Sequence, residues 1–232
     1  DMDALPIAEA NDFDHRSRHA GRMHACGHDG HTAMLLGAAQ YLSDHADFDG
    51  RVHFIFQPAE EGLGGARAMI ADGLFERFPM TNVYGMHNNP GMAVGSFAIR
   101  PGPMMAGGAF FDIAIGGVGA HGAHPEHSVD PVIVASHITT ALQTIVARNT
   151  KPVDTAVVSV TQIQTGDAYN VIPQSAHMKG TVRAFDRDTM AMIEQRMREI
   201  AEGVGKGLGA TIEVDFRETF APLVNAPDET EI

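Results

Sequence analysis

The chain has 232 residues, 44% of them hydrophobic and 19% charged, so it can bury a sizeable core in one large domain or two modest ones. Its 29 acidic and 16 basic residues give a formal net charge of −13, which excludes a phosphate backbone as an expected partner. A single cysteine excludes an internal disulfide framework, and neither a leader-like start nor an apolar run approaching the roughly 20 residues of a membrane span is seen. These features predict a soluble, cytoplasmic protein that binds neither nucleic acid nor membrane.

The first hundred residues alternate between segments typical of strands and segments typical of helices. A short strand opens the chain, a polar loop follows over 9–22, and apolar spacing predicts helices over about 31–45 and 64–71. The β-branched and aromatic run 51–57 is typical of a buried strand, and the segment 83–86 is typical of a short strand. This order predicts an α/β layer with a largely parallel sheet.

The stretch 23–32 concentrates side chains that bind metals. It contains three histidines and the only cysteine, and thiolate and imidazole are ligands that suit zinc and its neighbours. Cys26 and His28 are the candidates closest together. The same stretch is also compatible with a polar loop that caps the following helix, with Asp29 or Thr32 as N-cap.

Further ligand-type side chains follow the two predicted strands. Glu60 and Glu61 come just after the strand over 51–57, and His87 just after 83–86; ligand sites of open α/β sheets lie at such strand ends. With Cys26 and His28 these residues could form an open metal shell. Two carboxylates about 6 Å apart repel by roughly 3 kcal/mol at an effective dielectric of about 20, a conflict that a nearby cation resolves. Glu60 would then serve as general base and acid, unless both carboxylates are simply solvated.

The second half of the chain has a different pattern, which begins after a Pro/Gly stretch over 100–103. The order β-α-β-β-α-β over about 110 residues is the ferredoxin-like signature. Strands are predicted over 110–115, 156–163, 177–185 and 210–216, and helices over 129–148 and 189–203. We therefore expect a first part of an α/β catalytic domain over 1–105, an inserted domain over 106–218, and a return to the first domain over 219–232, where 228–232 is typical of an acidic helix start.

Four segments together resemble one known family. They are HACGHDGHTAMLLGAA, FIFQPAEEGLGGARAMI, VYGMHNNPGMAVGSFAIRPGPMMA and TGDAYNVIPQSAHMKGTVRAF. The chain is similar, from Asp1 to Ile232, to the amidohydrolase branch of the aminoacylase–carboxypeptidase G metallopeptidase family. That branch includes hippurate hydrolases, N-acyl-amino-acid amidohydrolases and plant auxin-conjugate hydrolases.

The resemblance implies a fold, a reaction and a set of ligands. The fold is an aminopeptidase-like α/β metal-binding domain, truncated here because family members continue past Ile232 to a last metal-binding histidine, with an inserted ferredoxin-like dimerisation domain. The reaction is hydrolysis of N-acyl amino acids, hippurate-like substrates included, by a metal-activated water with Glu60 as general base and acid. The resemblance implies two divalent ions (Zn, Mn, Ni or Co), with these ligands: Cys26, His28, Glu61 and His87.

The resemblance also gives roles to residues of the inserted domain, through which the family forms homodimers. It implies that His121 reaches the neighbouring subunit's active site to stabilise an oxyanion, and that Asn170 and Arg183 hold the substrate. Without the resemblance, His121 fits a turn histidine bonded to local backbone, and Arg183 fits an exposed strand arginine. His124 stands where relatives usually carry an apolar residue and is the weaker oxyanion candidate.

Several neighbouring side chains are expected to support the ligands. His24 and His31 are close enough in sequence to be partners of the metal-binding residues, and Asp1 is expected to orient a metal-binding histidine. The other histidines are expected to be structural.

Two other functions remain open from the residues. Cys26 could be the nucleophile of a cysteine hydrolase with a nearby histidine as base. Alternatively the chain could be a non-catalytic dimeric binding fragment carried by its ferredoxin-like half. Sensitivity to chelators distinguishes the metal-dependent enzyme from both.

Overall fold

The computed structural model describes residues 1–231, which fall into two compact units, Asp1–Ala98 and Ile99–Ile232, called here the first and second units. Ile232, the last residue of the predicted acidic helix start, lies outside the described residues. The three-part division at residues 105 and 218 stays a prediction. Across residues 1–231, no helix combines the length and the apolarity that crossing a membrane requires.

The first unit contains three helices: α1 (His28–Asp44), α2 (Gly65–Ala71) and α3 (Leu74–Arg77). Helix α1 begins three residues earlier than its apolar spacing predicts. Its N-cap is Gly27, in the left-handed region at φ 85°, so the prediction of Asp29 or Thr32 as N-cap is wrong. Left-handed backbone suits glycine because no Cβ clashes there.

The strands predicted in the first unit are not formed within residues 1–98. Segments 51–57 and 83–86 belong to no strand, and the β pairing of this unit is one isolated bridge between Leu5 and Met23. The residue pattern of both segments favours extended backbone, but a strand also needs a hydrogen-bonded neighbour. Among the described residues neither segment has such a neighbour, so the predicted parallel sheet is absent.

The second unit contains the sheets and the remaining helices. Its β-strands and helices, in chain order, are β1 (Gly102–Met105), β2 (Gly107–Gly116), β3 (Ala120–His121), α4 (Pro131–Thr144), β4 (Ala156–Thr165), β5 (Val171–Ile172), β6 (Ser175–Ala184), α5 (Arg187–Gly207), β7 (Thr211–Phe220), β8 (Leu223–Asn225) and α6 (Pro227–Thr230). A 3₁₀ turn at Pro125–His127 precedes α4, and a π-helical turn at Ile145–Asn149 continues it. Helix α6 carries the acidic first turn expected for this segment.

The main sheet is antiparallel, with strand order β4-β6-β2-β7. Along β2, alternate residues from Ala109 to Ile115 are buried, and α4 and α5 pack on that side. Both helices have side-chain caps: Asp130 accepts from the Val132 N–H, and Asp186 accepts from the Thr189 N–H. The main sheet with α4 and α5 has the predicted β-α-β-β-α-β order.

Two short pairings complete the second unit. Strand β1 pairs with β8, and β3 pairs with β5, both antiparallel. In the β3–β5 pair, His121 lies opposite Val171, although the two residues are far apart in sequence. This pairing brings the loop after β3 beside the loop before β5.

Candidate metal centre

His28 lies at the centre of the first unit's polar cluster, with its side chain 0% exposed. Its Nδ1 is 3.3 Å from Asp3 Oδ1, but its buried Nε2 has no hydrogen-bond partner among residues 1–231. Carboxylate oxygens face Nε2 at 3.4 Å from Asp1, 3.9 Å from Glu61 and 4.0 Å from Glu60. Because buried imidazole nitrogens are normally bonded, this gap between a nitrogen and three carboxylates fits a cation.

Cys26 and His87 complete the cluster. The Cys26 Sγ is 3.5 Å from His87 Nε2, while His87 Nδ1 donates to the carbonyl oxygen of Asn88 at 2.8 Å. That bond places the ring proton on Nδ1, which leaves the Nε2 lone pair facing the thiol.

The four predicted ligands therefore lie close together. Ligand atoms of Cys26, His28 and Glu61 all lie within 4.8 Å of one another, and the same limit holds for Asp1, His28, His31 and His87. His28 belongs to both groups, and the Cys26–His87 contact links them. Their assignment as metal ligands stays a prediction.

His31 has both ring nitrogens engaged. Its Nδ1 is 2.6 Å from Asp1 Oδ1, and its Nε2 accepts from the Asn88 N–H at 3.0 Å. It therefore holds Asp1 and the segment after His87 in place, as a partner of the cluster. The close approach of Asn88 depends on Gly27, where a Cβ would lie 2.2 Å from Asn88 Nδ2.

The turn that carries the two glutamates is tightly constrained. Ala59 has φ 53°, an unusual left-handed conformation for a residue with a side chain, which costs about 1 kcal/mol. The Gly65 N–H donates to the Ala59 carbonyl at 3.1 Å, and a Cβ on Gly65 would lie 1.6 Å from the Pro58 carbonyl oxygen. Asp3 Oδ2 also accepts from the Glu61 N–H at 3.0 Å. These contacts fix where Glu60 and Glu61 project.

Electrostatics in the cluster favour different charge states for Asp3 and Cys26. Burial acts to raise the pKa of Asp3, but the backbone N–H groups of Glu61 and Glu60 outweigh it, so the pKa lies below its usual value. Burial, followed by the negative charges of Glu61, Glu60 and Asp3, raises the pKa of Cys26. Since the thiolate is the nucleophilic form, this environment disfavours Cys26 as the nucleophile of a hydrolase.

His121 and Asn170 are placed together in the second unit. The β3–β5 pair makes them neighbours, and the Gly122 N–H donates to the Asn170 carbonyl at 2.7 Å. The Ala123 N–H donates to His121 Nδ1 at 3.1 Å. In the neutral ring the proton is therefore on Nε2, which makes His121 an outward hydrogen-bond donor.

Arg183 lies on the face of the main sheet opposite α4 and α5. Its Nη1 donates to Thr181 Oγ1 at 2.6 Å and to the Val182 carbonyl at 2.9 Å, and its guanidinium lies 5.3 Å from the centroid of the Phe220 ring. These contacts hold the side chain against its own strand.

A cleft of about 900 Å³ in the second unit is lined in part by His121. His177 and Gln164, from β6 and β4, line it too. The sequence predicts a structural role for His177, because a lone histidine on a strand carries no signal of a neighbouring loop.

The full chain, residues 1–232, matches the model of peptidase family M20/M25/M40. The chain belongs to this family. The resemblance drawn from the four sequence segments is thereby confirmed.

Curated relatives of the M20 chain carry names of amide-cleaving enzymes. It is 43% identical over 229 residues to a hippurate hydrolase of Campylobacter jejuni, covering 99% of the chain and 59% of that relative. It is 43% identical over 214 residues to an N-acetylcysteine deacetylase of Bacillus subtilis, covering 92% and 56%. The chain thus spans less than two thirds of the length of these relatives.

Among solved structures, the M20 chain is similar to the Bacillus subtilis YXEP protein, described as a dinuclear metal binding peptidase of the M20 family. The TM-score is 0.79 at 37% identity, covering 99% of this chain and 58% of that one.

Sequence reasoning missed two residues of the M20 chain's cluster, Asp3 and Asn88. Asp3, rather than Asp1, contacts His28 Nδ1, while Asp1 contacts His31. The spacing Asp1-x-Asp3 could have indicated this, because residues i and i+2 of an extended segment project to the same side. Asn88 gave no comparable signal.

Proposed function

We propose that this M20-family protein is a metal-dependent amidohydrolase that cleaves the amide bond of N-acyl amino acids, hippurate-like compounds included. The names of its relatives support the substrate class. The observation that carries the proposal is the buried Nε2 of His28, which has no hydrogen-bond partner in the described part of the chain and faces carboxylates beside the Cys26 thiol.

The metal would be held by Cys26, His28, Glu61 and His87. This donor set of sulfur, nitrogen and oxygen accepts Zn, Mn, Ni or Co, and the description of YXEP as dinuclear supports two ions per site. Asp3 and the Asn88 carbonyl accept the Nδ1 protons of His28 and His87, so both rings would present Nε2 to a metal, that of His87 once the contacting Cys26 thiol has lost its proton. When bound, such ions supply Lewis acidity that polarises a carbonyl and lowers the pKa of water.

Glu60 is the proposed general base and acid. Its side chain is 40% exposed and its Oε2 is 4.0 Å from His28 Nε2, so it reaches the cluster and the solvent alike. Its carboxylate would take a proton from the attacking water and deliver it to the leaving amine nitrogen.

The second unit is proposed to form the homodimer and to supply residues to the partner's site. His121 offers an Nε2–H, the form that an oxyanion requires, and this single contact is worth roughly 3 to 4 kcal/mol of barrier. Asn170 beside it and Arg183 on the sheet would hold the substrate, Arg183 through a carboxylate.

The test uses the full-length protein with a panel of small N-acyl amino acids. Chelation should abolish hydrolysis, and Zn, Mn, Ni or Co should restore it. Glu60→Gln should lower turnover by at least a hundredfold while metal content, measured by plasma emission spectrometry, stays unchanged. Glu202→Gln, at an exposed glutamate of α5 in the second unit, is the control.

Each alternative function has its own outcome in the same experiment. Hydrolysis that survives thorough chelation and stops on covalent modification of Cys26 would indicate a cysteine hydrolase. A metal-loaded protein that hydrolyses no member of the panel would indicate a binding protein.

A further inference from the structure

The connection between β3 and α4 carries a group of ionisable side chains that the proposed reaction does not use. His124, Glu126 and His127 lie within four residues, and their side chains are 64%, 58% and 76% exposed. Glu126 Oε1 is 3.2 Å from His124 Nδ1 and 3.6 Å from His127 Nε2. One carboxylate oxygen therefore faces two imidazoles.

The backbone of this connection is ordered by consecutive tight turns. The His124 N–H donates to the His121 carbonyl at 2.8 Å, the His127 N–H to the His124 carbonyl at 3.3 Å, and the Ser128 N–H to the Pro125 carbonyl at 3.0 Å. The 3₁₀ turn covers Pro125–His127 and has His124 as its N-cap, so the two histidines lie at the two ends of one short turn. Pro125 fixes φ in the middle of the segment, so little backbone freedom is lost when the side chains bind an ion.

The two rings are somewhat farther apart than two imidazoles on one ion. The centroids of the His124 and His127 rings are 6.3 Å apart. Two imidazoles bound to one zinc have centroids about 5 to 6 Å apart, because each Zn–N bond is about 2.1 Å. The His124 and His127 rings must first rotate toward each other to bring both nitrogens and the carboxylate onto a common ion, and both side chains are exposed.

We propose that His124, Glu126 and His127 form a surface site for a divalent transition metal, separate from the centre around His28. Two imidazoles and a carboxylate suit Zn²⁺, Ni²⁺, Co²⁺ or Cu²⁺ and leave positions for water. The open coordination and exposure predict a weaker, exchangeable site, which fills when free metal rises above the level that loads the first centre.

His121 is not a ligand of this site. Although its ring is 5.9 Å from that of His124, its Nδ1 accepts from the Ala123 N–H, which places the proton on Nε2. It stays a hydrogen-bond donor next to the ion.

The experiment counts zinc bound to the full-length protein by equilibrium dialysis as free Zn²⁺ is raised from nanomolar to high micromolar. The wild type is compared with the double variant His124→Asn, His127→Asn. The matched control is His137→Asn, which removes an exposed histidine of α4 in the same unit. Far-UV circular dichroism verifies that each variant is folded.

Wild type and His137→Asn should bind one more zinc per chain at micromolar concentration than the double variant, with equal binding at nanomolar concentration. In wild-type protein the same zinc should shift the imidazole NMR signals of His124 and His127 and spare those of His137. Equal stoichiometry in all three proteins, or the same loss in His137→Asn, would overturn the proposal.

Discussion

The proton on each ring nitrogen decides what each histidine of the first unit can do. His31 has both nitrogens bonded. His28 is bonded at Nδ1 alone and leaves Nε2 facing carboxylates, and His87 bonds Asn88 through Nδ1 and contacts the Cys26 thiol through Nε2. The sequence could predict that Cys26, Glu61 and their partners lie close together, since these residues occur in or just after segments with recognisable patterns. It could not predict these tautomers, because they depend on Asp3 and Asn88, which come from other parts of the chain.

The Cys26 thiol gives a prediction at this scale. In metal-free protein, burial and three carboxylates raise its pKa, so alkylation by iodoacetamide should be slow near pH 8 and should increase only at more alkaline pH than for an ordinary thiol. Glu61→Gln removes a negative charge, so it should lower the Cys26 pKa and speed alkylation at a fixed pH. Mass spectrometry measures the extent of alkylation, which reports on Cys26 alone because it is the only cysteine of the chain.

The control for that prediction is Glu76→Gln, which removes a carboxylate from α3 and should leave the rate unchanged. Alkylation of wild-type protein as fast as that of a free cysteine peptide at pH 8 would contradict the prediction.

At the scale of the elements, the cap of α5 makes stability depend on pH. The Thr189 N–H lowers the pKa of Asp186 below its usual value, and folding therefore favours the ionised carboxylate. This contribution is fully present above the unfolded-state pKa and is lost as the pH falls through the lower folded-state pKa, below about pH 4. Asp186→Ala should cost about 1 kcal/mol at pH 7.

Urea unfolding at pH 7 and near pH 3 measures the difference in unfolding free energy between wild type and Asp186→Ala. This difference should be smaller at the acid pH. Asp186→Asn keeps a capping oxygen without a titratable charge, so it should lose only a few tenths of a kcal/mol at pH 7. A cost for Asp186→Ala that is equal at both pH values would be inconsistent with capping by the ionised form.

The two edges of the main sheet differ in a way that bears on the proposed homodimer. Edge strand β4 has no charged residue, whereas β7, at the other edge, has charged side chains at alternate positions. Uncharged edges readily pair with another chain, and charged edges resist it. Val157→Lys with Ile163→Lys, at two exposed β4 positions, should convert a dimer to a monomer in analytical ultracentrifugation.

Glu213→Lys on β7 is the matched control and should leave the dimer intact. Dimers that persist in the β4 variant would place the interface elsewhere on the chain.

The strands of the main sheet could be predicted because they have a local signature: alternate residues of β2 and β6, for example, are apolar and face the same two helices. Segments 51–57 and 83–86 also have a residue composition that favours strands, but among the described residues they have no neighbouring strand to pair with. Pairing is a property of two segments at once, so composition alone could not settle it.

Over the whole molecule, the buried core is concentrated in the second unit. Every member of the hydrophobic core cluster lies between Ala109 and Val214, whereas the large apolar side chains of the first unit are partly or well exposed. Hydrogen exchange followed by mass spectrometry should therefore find the slowest amides in β2 and β6, with exchange in residues 1–98 faster by orders of magnitude.

Divalent metal should slow exchange near Cys26, Glu61 and His87 and leave β2 and β6 unchanged, because an ion adds stability where its ligands are. Protection of residues 1–98 equal to that of β2 would show that the first unit is as stable as the second.

The close approach of Gly65 to Pro58 limits which substitutions at position 65 can retain activity. Only a hydrogen atom fits where a methyl group would meet the Pro58 oxygen, so even alanine must push the backbone apart two residues before Glu60. In a saturation-mutagenesis library selected for turnover, position 65 should tolerate as few replacements as a ligand does, although its side chain takes no part in the chemistry.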